Sequence, residues 1–305
     1  MPQSTITQAQ IDALNTTIKA RFNAGLALKK DEWRKVAKLV TSDGKSNTYE
    51  WLSAFPAFRE WVGPRTHKVA KETAFTVSNR KFENTLDIPV EAIEDDNYGM
   101  YGDVAQSYGE SVFDLQNDLV FGKIASGFST VCYDGQFFFD TDHPVYPNED
   151  GTGVATTVSN MQAGTGEPWV LLCTARAPQP FYLQERIKPQ LIVKNSAVTS
   201  DHTFDNDVIS YGGRWRGEGV CGFWQLAFGS QAELTEANFT ANFKAMMKVT
   251  GDGDRKLGVI PNLLVVGPDN MSAAENLLKA VNKANGASNT NYGKVELFVS
   301  PWMTL

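Results

Sequence analysis

The sequence has few of the residues that disulfide frameworks and metal centres need. Its 305 residues include only three histidines and three cysteines. The cysteines, Cys132, Cys173 and Cys221, lie about forty or more residues apart without paired spacing, which favours reduced, buried thiols over disulfides or a zinc site. No stretch reaches the roughly 18 continuous apolar residues of a membrane span, and the amino terminus lacks the basic-then-apolar pattern of a secretory signal. We therefore expect a protein that is made and stays in a cytoplasm.

Positive charge is scarce relative to negative charge. The chain has 28 lysines and arginines against 35 aspartates and glutamates, a formal net charge of −7. This balance argues against a surface coated with nucleic acid, although a local basic patch is compatible with it. The composition is otherwise that of a folded globular protein without repeats, and the length supports one large domain or two.

Residues 96–128 form the longest segment that keeps one helical period without a proline. Acidic and capping residues predict a helix start near Asn97. Gly109, Gly122 and Gly127 each cost about 1 kcal/mol in a helix interior, so packing against other parts must hold this helix. The apolar residues predict two buried faces, the first comprising Tyr101, Val104, Tyr108, Val112, Leu115 and Leu119, and the second Phe113, Val120, Ile124 and Phe128.

The same helix carries a ladder of like charges. Glu110, Asp114 and Asp118 lie four residues apart, a spacing that destabilises an isolated helix. The ladder is either a face exposed to solvent or a face that meets a basic partner.

The amino-terminal part predicts a helix followed by an arm. Thr7 and Gln10 predict a capping box, and Gly25 is expected to end this short helix. Its buried face comprises Ile11, Leu14, Ile18 and Phe22. Residues 33–61 are rich in aromatic side chains but keep no regular period, so we interpret them as an arm whose rings are buried against another part.

Residues 66–90 predict a β-hairpin. Phe75 and Val77 would belong to one strand and Leu86, Ile88 and Val90 to the other, with the turn at 78–81 or 83–84. Two strands alone are marginal in water, so the hairpin must lie on its own chain or pair with a neighbour. Its basic residues and the acidic ladder suit a head-to-tail contact between subunits or an internal pairing equally well.

Strands and helices alternate after the long helix, which indicates an α+β domain. Strands are expected at 169–174, 190–194, 208–215, 222–228 and 262–266, and helices at 235–249 and 272–282. Tyr133-Asp134-Gly135 predicts a turn, and residues 147–166 predict a long surface loop.

The loop that contains Asp140, Asp142 and His143 is the main candidate for chemistry. These residues could bind a metal, or His143 could serve a Cys132 thiol nucleophile. Pro144 stiffens the loop, and both aspartates are good turn formers, so a structural turn is favoured.

Two further patterns predict no binding site. Gly217, Gly219 and Gly222 match the spacing of a dinucleotide motif, but the residues that follow predict a strand, which removes the helix N-terminus that the phosphate needs. Asp252 and Asp254 lack the glutamate that an EF-hand has at its twelfth position. We therefore expect no cofactor, no metal and no catalytic set.

Several strings then recur in a recognisable order along nearly the whole chain. They are YEW at 49–51, FPAFREW at 55–61, NRKFE at 79–83, IEDD at 93–96, YDGQ at 133–136, FFDTDHP at 138–144, WQLAFGS at 224–230 and SPW at 300–302. Together they resemble the major head subunit of Mu-like phages and prophages.

The resemblance implies the α+β fold of tailed-bacteriophage major capsid proteins. It implies an N-terminal arm at 1–64, an extended β-hairpin loop at 65–95, a peripheral domain with a long spine helix at 96–146, and an axial domain with returning peripheral strands at 147–305. It also implies self-assembly through pentamers and hexamers into an icosahedral shell, the virion head, which encloses double-stranded DNA without sequence-specific binding. We expect the chain to begin directly in its arm, and therefore expect separate scaffold, protease and portal proteins.

The expected assembly residues combine the basic hairpin, the acidic ladder and the aromatic arm. They are Arg80, Lys81, Phe82, Glu83, Glu110, Asp114, Asp118, Trp51 and Trp61. Two alternatives stay open: a metal- or thiol-dependent enzyme centred on residues 140–143, and a tail or decoration protein.

Overall fold

The computed structural model describes residues 7–28, 30–49, 75–95, 99–194, 201–283 and 285–303. Its helices are α1 (Gln8–Ala27), α2 (Val90–Glu94), α3 (Gly99–Ala125), α4 (Asp201–Asn206), α5 (Glu236–Met247) and α6 (Met271–Leu278). The described part of the chain contains no helix that is long and apolar enough to cross a membrane.

The strands fall into two main sheets and three short pairs. They are β1 (Ala37–Thr41), β2 (Ser46–Thr48), β3 (Thr76–Ser78), β4 (Arg80–Pro89), β5 (His143–Val145), β6 (Thr156–Val158), β7 (Met161–Gln162), β8 (Trp169–Leu172), β9 (Phe181–Lys194), β10 (Val208–Cys221), β11 (Ala227–Ser230), β12 (Thr250–Gly251), β13 (Arg255–Lys256), β14 (Leu263–Val266) and β15 (Glu296–Val299).

The first sheet has four strands in the order β1-β9-β10-β4. Strand β10 pairs antiparallel with both long neighbours, and β1 runs parallel to β9. Helices α1 and α3 pack on one face, where Ile18, Ile88, Ala105 and Tyr211 share a buried cluster. The helices and the sheet together form a two-layer body.

The second sheet has five strands in the order β15-β14-β8-β11-β7. Strands β8, β11 and β14 are buried along their whole length, as expected for central strands covered on both faces. Their core is continuous with Phe121 and Ile124 of α3. The prediction of alternating strands and helices in this half is confirmed, as are the helix after Thr235 and the strand that ends at Val266.

Helix α3 confirms the predicted long helix, and a short 3-10 turn at Ser126–Phe128 follows it. The predicted start near Asn97 lies outside the described residues. The second predicted face is confirmed for Phe113, Val120 and Ile124, which are buried. The first face is confirmed in part, because Leu119 is buried and Tyr101, Tyr108 and Leu115 are half-buried against the core, whereas Val104 is exposed.

Small residues form a further buried face in the amino-terminal half of α3. Gly102, Ala105 and Gly109 are the buried positions of the amino-terminal half of α3, and they lie against α1. Two helix backbones can approach closely only where side chains are small, so a search for large apolar side chains did not reveal this face.

Helix α1 confirms the capping box, since Gln10 N bonds to the Thr7 side chain and the Gln10 side chain to Thr7 N. The predicted buried face is also confirmed. Gly25 does not end the helix, which continues to Ala27. Its lack of a side chain serves the contact with α3 instead of a helix stop.

The predicted hairpin is wrong for the strands that the structure describes. Strand β3 pairs with β2, and β4 pairs with β10 over ten residues. The expected turn residues 80, 81, 83 and 84 therefore belong to β4. The alternation of Leu86 and Ile88 correctly indicated a strand, but its partner lies more than a hundred residues away, beyond the reach of a local pattern.

Two strand predictions were incomplete. Strand β9 begins at Phe181 rather than near 190. The prediction started the strand too late because Pro189 normally interrupts a strand, whereas here it lies within β9, where the register between β9 and β10 shifts. Residues 222–228 form a 3-10 turn at Trp224–Leu226 before β11, so only their last part is a strand. The predicted loop 147–166 contains the short strands β6 and β7.

Candidate assembly surfaces

In the acidic ladder, one residue forms an ion pair within the chain and the other two are exposed without one. Glu110 accepts a hydrogen bond from Lys30 Nζ at 2.9 Å. This bond and the opposite charge raise the pKa of Lys30, while the same bond lowers the pKa of Glu110. Asp114 and Asp118 are exposed, and neither forms a salt bridge with any other described residue. They are the part of the ladder that is free to meet a partner.

A groove of about 520 Å³ opens beside Asp114. Trp302, near the carboxyl end, forms part of its wall. The remaining lining residues are Lys30, Asp31, Glu32, Lys35 and Asn117. A groove that combines an indole with carboxylates can hold a basic side chain, because cations are attracted both to the aromatic face and to the negative charge.

In the predicted basic cluster, two residues contact other parts of the same chain and two are exposed without such a contact. Arg80 forms a bidentate contact with the buried Glu218 of β10, with Nη2 to Oε1 at 3.1 Å. Phe82 packs against Trp215, with ring centroids 5.6 Å apart. Arg80 and Phe82 therefore hold β4 to β10 within one subunit. Lys81 and Glu83 are exposed on the opposite side of β4.

The predicted arm is integral to its own chain where it is described. Trp33 is buried, and its backbone and indole N–H groups donate to Asn117 Oδ1 and Gln116 Oε1 on α3. Tyr49 donates to Gln184 Oε1 at 2.6 Å, and burial raises the pKa of its phenol to about 12. Trp51 and Trp61 lie outside the described residues.

The loop proposed for chemistry contains a buried ion pair. His143 is fully buried, with Nδ1 at 2.7 Å from Asp134 Oδ2 and Nε2 at 3.1 Å from Asn160 Oδ1. The Asn160 amide donates to Phe138 O, so its Oδ1 is an acceptor and Nε2 must donate. Since Nδ1 faces a carboxylate, the network assigns a proton to each ring nitrogen. The imidazolium also stacks on Trp224 at 4.0 Å.

Asp134 stays ionised because its partners outweigh its burial. Burial acts to raise the pKa of this carboxyl, but the hydrogen bond and charge of His143, with donors from Cys132 Sγ and Gln136 N, leave its pKa below the ordinary value. Burial and the adjacent Asp134 raise the pKa of the Cys132 thiol, which keeps it protonated. A protonated thiol is a poor nucleophile.

The candidate metal set is not the one proposed from sequence. Cys132, Asp134 and His143 bring one ligand atom each within 4.8 Å of one another. The Asp134 carboxylate already forms hydrogen bonds with Cys132 Sγ and His143 Nδ1, so the three side chains satisfy one another's hydrogen-bonding groups without a metal ion. Asp140 and Asp142 take no part in the cluster, and Asp140 instead accepts hydrogen bonds from the backbone of Phe137 and Thr141. The favoured interpretation of a structural turn fits this geometry.

The other sequence patterns are structural too. All three cysteines are free and buried, as predicted. Gly217 and Gly219 lie within β10, where a side chain would strike the backbone of Gln184 or Leu119. Asp252 accepts a hydrogen bond from Tyr146 N beside the short pair β12–β13. These glycines and aspartates therefore serve packing and turn formation.

Comparison with known proteins indicates the function of the exposed surfaces described above. The family model described as Mu-like prophage major head subunit gpT matches residues 11–303. The chain belongs to this family. It is 38% identical over 304 residues to the major capsid protein of Escherichia phage Mu, covering 98% of this chain and 99% of that protein. It is 36% identical over 278 residues to the Mu-like prophage FluMu major head subunit of Haemophilus influenzae, covering 90% of each.

A solved head structure shows the same fold. A chain from the procapsid of bacteriophage JBD30 is 41% identical and superposes with a TM-score of 0.87, covering 97% of this chain and all of that one. The resemblance predicted from sequence is thereby confirmed, together with the α+β fold of phage major capsid proteins. Members of this family are structural proteins of the phage head. We therefore interpret the exposed surfaces of this chain as candidate contacts for assembly.

Proposed function

We propose that this chain is the repeating subunit of a closed icosahedral head, built from pentamers and hexamers, that encloses double-stranded DNA in the virion. The observation that carries the proposal is the near-complete correspondence with a procapsid chain, at a TM-score of 0.87 over 97% of the length. A closed shell needs many modest contacts between identical copies rather than one strong contact.

The proposed contact residues are those of the predicted set that are not engaged within the subunit. Asp114 and Asp118 on the helix side and Lys81 and Glu83 on the sheet side are exposed. Glu110, Arg80 and Phe82 have partners in their own chain and support these surfaces indirectly. Trp51 and Trp61 stay candidates for a contact made by the arm.

The proposed domain division keeps the predicted boundaries, with an arm, a loop, a peripheral domain and an axial domain at 1–64, 65–95, 96–146 and 147–305. The pairing of β2 with β3 is relevant to the loop, since Tyr49 N donates to Phe75 O at 2.9 Å. Residues 49 and 75, which lie on either side of residues 50–74, are therefore neighbours in the fold.

We also propose that assembly takes place in the cytoplasm of the host bacterium with separate scaffold, protease and portal proteins. A test expresses the chain alone and together with the genes that flank its own, followed by sedimentation and negative-stain electron microscopy. Closed shells or rings of five and six support the proposal. Open tubes would instead favour a tail protein, and particles that form only on pre-existing heads would favour a decoration protein.

A further inference from the structure

A buried amide connects the four-stranded sheet to the short strand pair β2–β3. Gln184 belongs to β9 and is fully buried. Its Oε1 accepts a hydrogen bond from the Tyr49 hydroxyl at 2.6 Å, and its Nε2 donates to Asn79 Oδ1 at 2.7 Å and to Val77 O at 3.3 Å. One side chain of the sheet therefore binds the chain both before and after residues 50–74.

A second amide extends this network. Asn79 is buried directly after β3, and its backbone N–H donates to Lys45 O at 3.0 Å. Its Nδ2 donates to Ser42 Oγ at 2.8 Å and to Gly44 O at 3.0 Å. The Ser42 hydroxyl in turn donates to Asn47 Oδ1 at 2.8 Å. The network thus joins β9, the residues that follow β1, and both strands of the pair β2–β3.

Hydrogen bonds between buried groups fix a direction more strictly than apolar contacts do. Each strand of the pair has only three residues, and two strands alone are marginal in water. Apolar packing tolerates repacking, whereas a buried hydrogen bond requires one distance and one angle, and a partner left unsatisfied is costly. A buried network of paired groups therefore holds β2–β3 in one orientation on the sheet.

This orientation bears on the proposed contact between subunits. Tyr49 and Phe75 are hydrogen-bonded neighbours at the end of the pair β2–β3. The segment between them contains Trp51 and Trp61, two of the proposed contact residues, and the first part of the proposed loop. The chain enters and leaves this segment through the pair. A rotation of the pair on the sheet would therefore misdirect a contact that the segment makes.

We propose that Gln184 and Asn79 are positioning residues for assembly, which fix the orientation of β2–β3 and thereby direct residues 50–74 to a contact with a neighbouring subunit. This inference rests on the proposed function. Both side chains are buried within their own chain, so they act through the orientation of the strands and not by touching the neighbour. Their loss is expected to impair the building of regular shells more than the folding of the subunit.

The test variant is Tyr49→Phe/Gln184→Met, which removes the hydroxyl and the amide while nearly keeping the side-chain volumes. The matched control is Gln162→Met/Ser230→Ala at the five-stranded sheet. There, Ser230 Oγ donates to Gln162 Oε1 at 2.9 Å, and Gln162 Nε2 donates to Asn238 Oδ1 at 3.0 Å. Each variant therefore loses a hydroxyl–amide bond together with a further bond of the same amide. Thermal melting compares their stabilities.

Two measurements separate positioning from stability. Hydrogen–deuterium exchange of the unassembled test variant should rise in residues 42–49 and 75–79 but not in α1 or α3, whereas a general loss of stability would raise it throughout. Particle yield after co-expression should fall at least about fivefold, because a closed shell repeats the same contact at every subunit. The control should keep its yield and a uniform particle size at a similar melting temperature.

Equal losses of yield in the two variants at equal melting temperatures would overturn the inference, since assembly would then follow subunit stability. Regular particles at full yield from the test variant would overturn it as well. If that variant does not fold, Tyr49→Phe alone removes one bond: a lower yield with localised exchange supports the inference, and an unchanged yield contradicts it. Failure of the unmodified chain to form particles would instead contradict the proposed function itself.

Discussion

Gly25 of α1 and Gly109 of α3 lie where the two helix backbones touch. A Cβ atom added to Gly25 would fall 2.1 Å from Gln106 O, and one added to Gly109 would fall 2.2 Å from Phe22 O. Such distances leave no room for any side chain. The closest approach of the two helices therefore depends on glycine at both positions.

Gly109→Ala is expected to lower the free energy of unfolding by about 1–3 kcal/mol, because the helices must separate to admit the methyl group. Gly122→Ala on the same helix is the control, since its Cβ would meet nothing within 4 Å. That variant should gain about 0.5–1 kcal/mol from helix propensity alone. Denaturant unfolding of both variants measures the difference, and equal effects would contradict the packing account.

The buried pair of His143 and Asp134 gives a second prediction. His143→Phe keeps a ring against Trp224 but leaves the Asp134 carboxylate without its cation. We expect a loss of about 3–5 kcal/mol in unfolding free energy, the usual result of breaking one side of a buried pair. Adding Asp134→Asn to His143→Phe should recover part of that loss. A double variant no more stable than His143→Phe would count against a charge-based explanation.

The same pair predicts how stability changes in acid. The pKa of Asp134 is lower in the folded chain than its ordinary value of about 3.9 in an unfolded chain. Its contribution is therefore complete above the unfolded value and disappears as the pH falls through the folded value. Unfolding free energies of the unmodified chain and Asp134→Asn should converge as the pH falls below about 4. A difference that stays constant as the solution is acidified would refute this assignment.

Charge reversal at the exposed acids separates assembly from folding. Asp114→Lys/Asp118→Lys should reduce the yield of particles while the melting temperature stays nearly unchanged, because both side chains are exposed. Glu233→Lys/Asp269→Lys makes the same charge change at exposed positions near the five-stranded sheet's helices α5 and α6 and serves as the control. Particle yield comes from sedimentation, and folding from thermal melting. Parallel losses of yield and melting temperature would point to internal packing.

Local sequence patterns were sufficient for features that depend on near neighbours. The capping box of Thr7 and Gln10, the buried face of α1 and the long α3 each follow from contacts within one helix or from its period. The strand character of β4 was equally readable from Leu86 and Ile88. Its partner was not, because Arg80 and Glu218 are 138 residues apart.

The site was harder to predict because its residues owe their roles to tertiary contacts. His143 was singled out together with Asp140 and Asp142, yet its partners are Asp134 and Asn160, which only the folded chain brings together. The basic cluster was assigned to a hairpin, although its exposed charges belong to a sheet shared with β9 and β10. Arg186 and Lys188 alternate with the apolar Ile187, a pattern typical of a strand with one exposed face. The prediction did not extend the strand to these residues because Pro189 follows them.

A cryo-electron microscopy reconstruction of particles from co-expression tests the central claim most directly. The account predicts closed icosahedral shells into which the chain fits as the repeating subunit, with Asp114 and Asp118 at or near a subunit contact. Open tubes, or purified protein that stays monomeric under every co-expression condition, would contradict it.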